Sequence, residues 1–461
     1  MTRLFGTAGA RGVTNIEITP DLALRIATVY ADWWAEKKGK TPELAVGHDT
    51  RWGAELLART VASGFAAAGA NVTFFGCVST GVFSMNTSKT GLDGGILITG
   101  SHMPPDRIGI IPMLGDGAYC PVEITDDLEA RLRDFATRRR KVTPDKIGRI
   151  EESFHPYELY VSEMVQMLDA RLIKSKKYHV LCDPANGTAS YVAKELFQWF
   201  GCEVEMIHYD PKAVPDRPSE CRASTCRIAI DRTAELRCDL GMCTDVDADR
   251  VLMIDTAGIP LSEDLVGAIF ARESLRRGDT CVVPINSSGL IEVVCADIGA
   301  KLEYCAVGQP EIVKAIKAHR AAYSYEESGK YFFALQQLWC DGLYSGAKML
   351  EIMAHRGKSL AELAATFPKF HQVKRKVDVA DDRKVGAVAD CVKLLKTRLT
   401  DGRVRDVEVD GFKRMYDDHS WLLVRASGTE PIVRVYSDAP TKERAEQLAT
   451  EGEALLREAL R

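Results

Sequence analysis

Short apolar runs alternate with amphipathic stretches along most of this chain. Leu44-Ala45-Val46 reads as a strand and leads into an amphipathic helix over 54–68. Residues 72–75 and 95–99 read as further strands, and a charged stretch over 131–141 breaks the pattern. The rhythm resumes with a strand over 179–183, a helix that ends near Trp199 and a strand over 203–208. A third block starts near Thr256. It predicts a helix over 263–276, a strand over 280–284, a helix over 290–298, a strand over 301–305 and a helix over 311–319. Such alternation predicts parallel or mixed sheets with helices on both faces. The last block has a different order. A strand over 373–379 and a helix over 383–396 precede strands over 412–416, 421–425 and 432–437, and Thr441 is placed to cap a final helix. The pattern therefore predicts an α/β protein: three similar α/β domains with mixed sheets over 1–150, 151–255 and 256–370, then a C-terminal α+β domain over 371–461.

Composition narrows the function classes. The 461 residues are 46% hydrophobic and 27% charged, with a formal net charge of −5, which argues against nucleic acid as a main partner. No apolar run reaches the length of a membrane span, and the first residues run straight into sequence that reads as folded. The thirteen cysteines show no pairing rhythm and no CxxC spacing among their closest pairs. They read as buried reduced thiols of a cytoplasmic protein.

Chemistry concentrates at strand ends. Asp245-Val246-Asp247-Ala248-Asp249-Arg250 lies between two apolar strands. Three carboxylates at alternate positions repel one another, and oxygen-only donors suit a hard cation such as Mg²⁺. The alternative is a solvated acidic turn. Thr99-Gly100-Ser101-His102-Met103-Pro104-Pro105 sets a serine on a sharp turn after a strand. The nucleophile-elbow pattern of hydrolases is absent, because Met103 stands where that pattern has glycine. Arg425-Ala426-Ser427-Gly428-Thr429-Glu430-Pro431 can cradle an anion with backbone N–H groups, two hydroxyls and a guanidinium, or it is a plain hairpin turn. Tyr325-Glu326-Glu327-Ser328-Gly329-Lys330 offers acceptors suited to sugar hydroxyls, or is an acidic turn. Phe5 to Gly12 is glycine-rich but does not read as a dinucleotide fingerprint, and Arg11 within it can reach a phosphate.

In this order, the motifs resemble the α-D-phosphohexomutase superfamily over essentially the whole chain. The resemblance rests on Phe5 to Gly12, on Gly47, Asp49, Thr50 and Arg51, and on Thr99 to Pro104. It continues through Asp245 to Arg250, Glu326 with Ser328 and Gly329, and Arg425 to Pro431. It implies a four-domain architecture around one central cleft. It also implies an intramolecular phosphotransferase that interconverts hexose 1-phosphate and hexose 6-phosphate through a phosphoserine and a bisphosphate intermediate. By the same resemblance Ser101 carries the phosphoryl group, and Mg²⁺ is held by Ser101, Asp245, Asp247 and Asp249. Arg11, His102, Arg250 and Lys330 are implied as catalytic residues. Glu326, Ser328, Gly308, Arg425, Ser427, Gly428 and Thr429 are implied as the substrate contacts. A hexose 1,6-bisphosphate is the implied activator. A phosphorylated hexose is the implied partner, with no nucleic acid and no membrane.

The chain departs from that pattern at several positions. Met103 replaces an asparagine, Ile108 and Ile111 replace an asparagine and a lysine, and Lys330 replaces a histidine. The lysine is a proton-transfer candidate in the family, so its role passes to other groups, with His102, Lys330 and Arg107 as candidates. A phosphoglucosamine mutase is one alternative. Others are a weak or inactive sugar-phosphate binder, because of Ile111, and a phosphatase that uses the same serine and cation.

Overall fold

The computed structural model describes residues 3–6, 8–399, 404–428 and 430–461. It divides into two compact units: Met1–Ser262 with Ser328–Leu363, and Glu263–Glu327 with Ala364–Arg461.

The first unit holds two mixed sheets. In the larger, the strands lie in the order Phe5–Gly6, Gly9–Val13, Arg107–Leu114, Gly94–Ile98, Glu43–His48, Asn71–Cys77 and Ile150–Glu152. The central strands are buried along nearly their whole length, as in Gly94–Ile98, which is why they read as continuous apolar runs rather than alternating ones. The helices Pro20–Lys38 and Ala54–Ala67 pack on this sheet's core with Tyr30, Phe65 and Val46. The second sheet runs Val251–Ile254, Leu240–Thr244, His179–Asp183, Glu203–Met206, with only the first pair antiparallel.

In the second unit, Thr280–Pro284 pairs in parallel with Lys301–Cys305 and with Tyr323–Glu326. Strand formation therefore continues through Tyr325 and Glu326, where the sequence reads as a turn. The C-terminal sheet is antiparallel, in the order His371–Asp378, Ile432–Ala439, Trp421–Ala426, Phe412–Tyr416, Val404–Val407. Its outermost strand, Val404–Val407, is additional to the predicted set. Two helices, Lys384–Arg398 and Lys442–Ala459, complete this α+β layer, and the Thr441 hydroxyl accepts from Arg444 N as the expected N-cap.

Three other differences from the pattern have physical reasons. The charged stretch over 131–141 covers the end of the helix Val122–Arg133, the short helix Phe135–Arg138 and the irregular chain that follows. Helix Gly342–Arg356 is buried on so much of its surface that no clean polar face marks its period. The glycine-rich start is a short antiparallel pair, Phe5–Gly6 with Gly9–Val13. All thirteen cysteines are free thiols, and only Cys77 is not fully buried. Among the described residues no helix is long and apolar enough to cross a membrane.

Candidate active site

The Asp245–Arg250 segment links the antiparallel strands Leu240–Thr244 and Val251–Ile254. Its main chain is gripped by neighbouring elements. Val246 O accepts from Thr188 N at 2.8 Å, Asp247 O from Thr80 N at 2.9 Å, and Ala248 O from Gly342 N at 2.8 Å. Thr80 and Gly342 open the helices Thr80–Lys89 and Gly342–Arg356, whose first N–H groups have no partner within their own helix. Gly187 is required beside this turn, because a Cβ there would meet Val246 O at 2.3 Å.

These supports bring the three carboxylates together. Oxygens of Asp245, Asp247 and Asp249 lie within 4.8 Å of one another, and all three residues are buried. Burial pushes Asp247 well above the usual carboxylate range, and the charges of Asp249 and Asp245 push it further. Asp245 moves up for the same reasons. Burial also opposes ionisation of Asp249, but the Lys330 ammonium and the Arg250 guanidinium outweigh it and hold Asp249 down. Asp247 Oδ1 and Asp249 Oδ1 are buried and accept no hydrogen bond. Two such oxygens in an oxygen-only donor set fit a hard divalent cation.

The serine loop meets the triad in the same unit. Ser101 is 2% exposed, and its Oγ donates to Asp245 Oδ2 at 2.6 Å. Its backbone is left-handed, with φ of 48°, a sparsely populated region for serine. His102 Nδ1 lies 3.4 Å from Ser101 Oγ, so the adjacent side chains do approach each other. Burial first, then the charges of Arg250, Arg11 and Lys330, push the imidazole down to about 2, which leaves it neutral at pH 7. Lys330 Nζ donates to Asp249 Oδ2 at 2.6 Å in a setting only 6% exposed. Arg250 Nε lies 3.8 Å from Asp245 and 3.9 Å from Asp249. Arg11 lies on the strand Gly9–Val13, where it pairs with Gly109, and its charge contributes to the downward shift of His102. Ile108 and Ile111 are buried in the strand Arg107–Leu114.

Several contacts carry no signal in the local sequence. Tyr119, a buried residue, donates to Asp249 Oδ2 at 3.3 Å. The Thr99 hydroxyl lies 3.0 Å from Asp49 Oδ2 and 2.8 Å from Asp247 Oδ2, and accepts from Ser101 N at 2.9 Å. Glu220 reaches Arg250 at 3.8 Å. Only the quoted Asp49-Thr50-Arg51 element gives a hint of this layer.

In the second unit, Arg425 Nε donates to Asp410 Oδ2 at 2.7 Å, and the same oxygen accepts from Val307 N at 3.1 Å. Asp410 thus joins Arg425 to the residue before Gly308, which has φ of 124° and precedes the helix Gln309–His319. Ser427 is buried, and its Oγ accepts from Glu430 N at 3.2 Å. A Cβ at Gly428 would meet nothing within 4 Å. Thr429 lies outside the described residues. Glu326 ends a strand and is partly buried. In the first unit Ser328 is partly buried, and Gly329 O accepts from Val251 N at 3.0 Å.

Comparison with known proteins agrees with this fold. Models of phosphoglucomutase/phosphomannomutase match along the chain: alpha/beta/alpha domain I at residues 2–139, domain II at 158–258, domain III at 262–370 and the C-terminal domain at 372–454. The chain belongs to the phosphoglucomutase/phosphomannomutase family, within the α-D-phosphohexomutase superfamily, and has its four-domain α/β architecture. A phosphoglucomutase/phosphomannomutase of Thermococcus kodakarensis is 32% identical over 468 residues and covers 100% of both chains. A phosphoglucosamine mutase of Salinispora arenicola is 33% identical over 455 residues, 97% of each. A Burkholderia thailandensis phosphoglucomutase/phosphomannomutase family protein of known structure shares the fold, with a TM-score of 0.86 at 23% identity, over 99% of this chain and 97% of that one.

Proposed function

We propose that Ser101 is the phosphoryl carrier of a hexose phosphate mutase. The enzyme is an isomerase, an intramolecular phosphotransferase acting on a phosphorylated sugar. The observation that carries the serine assignment is its 2.6 Å contact with Asp245, inside a buried triad in which Asp247 Oδ1 and Asp249 Oδ1 accept no hydrogen bond.

Ser101, Asp245, Asp247 and Asp249 would hold Mg²⁺. When bound, the ion neutralises charge on the phosphoryl group and stabilises in-line transfer. The serine's O–P bond breaks as a free sugar hydroxyl forms its own bond to phosphorus, and a proton moves to Ser101 Oγ. A hexose 1,6-bisphosphate results, and the second transfer returns its other phosphate to Ser101. The same bisphosphate would serve as activator.

Lys330 is the proposed replacement for the lysine lost at Ile111. Its support is the short contact with Asp249 and its burial. Neutral His102 would accept or relay the proton next to Ser101, and Arg11 and Arg250 would stabilise the transferring group. Arg425, Ser427, Gly428 and Thr429 would hold the phosphate that is not reacting. Glu326, Ser328 and Gly308 would bind the sugar. The proposed domain limits are 1–150, 151–255, 256–370 and 371–461, and the proposed location is the cytoplasm.

Intact-protein mass before and after incubation with glucose 1,6-bisphosphate tests the carrier. The expected result is a gain of one phosphoryl group in the wild type and none in Ser101→Ala. Coupled assays on glucose, mannose and glucosamine 1-phosphates with Mg²⁺ then identify the sugar. A rate confined to glucosamine 1-phosphate would make this a phosphoglucosamine mutase, as some relatives are named. Binding without turnover on all three would overturn the mutase reading.

A further inference from the structure

One buried guanidinium holds the backbone of the serine loop. The Arg51 side chain is 1% exposed. It donates to Ser101 O at 2.5 Å, Met103 O at 2.6 Å, Pro104 O at 2.5 Å and Arg107 O at 2.9 Å. It also reaches Ser219 Oγ at 3.3 Å, and its Nε lies 3.5 Å from Asp49 Oδ2. Four carbonyls along a seven-residue turn thus converge on one planar fork of donors, a geometry that an ammonium cannot copy.

The surrounding residues are shaped to this group. A Cβ on Gly100 would meet Arg51 Cζ at 2.5 Å, so the glycine before the serine is the space the guanidinium occupies. Asp49 orients the arginine and also accepts from Gly100 N at 2.8 Å and from Thr99 Oγ1. Thr99 Oγ1 then accepts from Ser101 N. Ser101 is therefore held at its amide by Thr99 and at its carbonyl by Arg51. Between these two grips its backbone takes the left-handed conformation. A strained residue persists only where its neighbours over-determine it.

We propose that Arg51 is a positioning residue that fixes Ser101 in its left-handed conformation and so aims Oγ at the Asp245 carboxylate. The inference rests on the reading of Ser101 as phosphoryl carrier. Arg51 acts through the main chain and touches neither the phosphoryl group nor the sugar. Its loss therefore falls on kcat, and KM is spared.

Three measurements on the full chain test it. In Arg51→Lys, kcat is expected to fall by about 10²-fold, the cost of roughly 1 Å of misplacement, with KM within about twofold. Hydrogen–deuterium exchange is expected to quicken chiefly in peptides covering residues 100–107, with any further change confined to the neighbours of Arg51 at Asp49 and Ser219. In Arg51→Gly, millimolar guanidinium is expected to restore kcat about tenfold by refilling the cavity left by the side chain. A wild-type kcat in Arg51→Lys overturns the proposal, and so does unchanged exchange over 100–107. A rise in exchange spread over the whole first unit also overturns it, because that marks a general stabilising role. The mass gain of the wild type is read separately. If it is absent, the phosphoserine reading fails, while the exchange pattern still decides whether Arg51 holds the loop.

Discussion

The serine loop over residues 99–107 and the loop over 425–431, proposed to hold phosphate, both follow a strand, and both combine a glycine with hydroxyl side chains. Their supports differ. The first is clamped from outside by Arg51 and Thr99, and its glycine is filled space. The second is held by a bond within its own turn, from Glu430 N to Ser427 Oγ, and by separate polar contacts, Arg425 with Asp410, Arg434 with Glu430 Oε2 and Lys384 with Glu430 O, and space is open at its glycine. The contrast matches the two tasks proposed. A group that transfers phosphoryl must keep one geometry to within a fraction of an ångström. A group that grips the spare phosphate must accept two orientations of one sugar. Similar local composition would therefore serve a rigid loop or an adaptable one, according to what packs against it.

The contrast can be broken most severely at Ser101. Ser101→Ala is expected to lower turnover by more than about 10³-fold in a coupled mutase assay, because among the described residues no other hydroxyl donates to Asp245. Residual turnover above a hundredth of wild type would mean that the rigid loop does not carry the phosphoryl group. Next comes the cation. Asp247→Asn is expected to weaken Mg²⁺ activation by roughly 10–100-fold, and EDTA should abolish activity until Mg²⁺ is restored. Titration of activity against free Mg²⁺ reads this directly.

Arg425→Ala probes the adaptable loop. Loss of a charge-assisted contact to phosphate is expected to raise KM by about 10–100-fold, from roughly 1.5–3 kcal/mol, while kcat changes little. A kcat defect of the Arg51→Lys kind would erase the distinction between the loops.

The smallest effect concerns the scaffold of the second loop. Lys413, on the strand Phe412–Tyr416, is fully buried over the rings of Trp421 and Tyr304 and donates to Ser287 O at 3.0 Å. Burial pushes its ammonium down to about 7 from an ordinary value of 10.5, against the opposing pull of Glu292 and Asp438. Between these values the unfolded chain binds a proton that the folded chain does not, so this group's contribution to stability rises with pH. The melting temperature of the wild type relative to Lys413→Met is expected to rise by a few degrees from pH 7 to pH 9.5. Differential scanning calorimetry at the two pH values checks it, and a flat or falling difference would contradict it.

Much of this was legible in the chain. The strands Thr280–Pro284 and Lys301–Cys305 and the helix Leu290–Ile298 follow directly from apolar runs punctuated by Gly and Pro. The alternating aspartates between two apolar strands mark the triad, and the turn before Pro104 marks Ser101. What periodicity could not show is how these parts are joined. The helix Gly342–Arg356 hides its period by being buried nearly all round. The partners of Arg51 are carbonyls some fifty residues away, and carbonyls have no letter in a sequence. Tyr119 reaches Asp249 across 130 positions, with nothing local to announce it.

The two carboxylate oxygens without hydrogen bonds, Asp247 Oδ1 and Asp249 Oδ1, have a thermodynamic consequence. A triad that is costly to desolvate would make the proposed cation a ligand of the native state and a poor ligand of the unfolded chain. Its free concentration then enters the folding equilibrium, adding about 2.7 kcal/mol at 100 times the dissociation constant. Divalent-ion supply would thus set how long the first unit survives heat, as well as how fast the enzyme turns over.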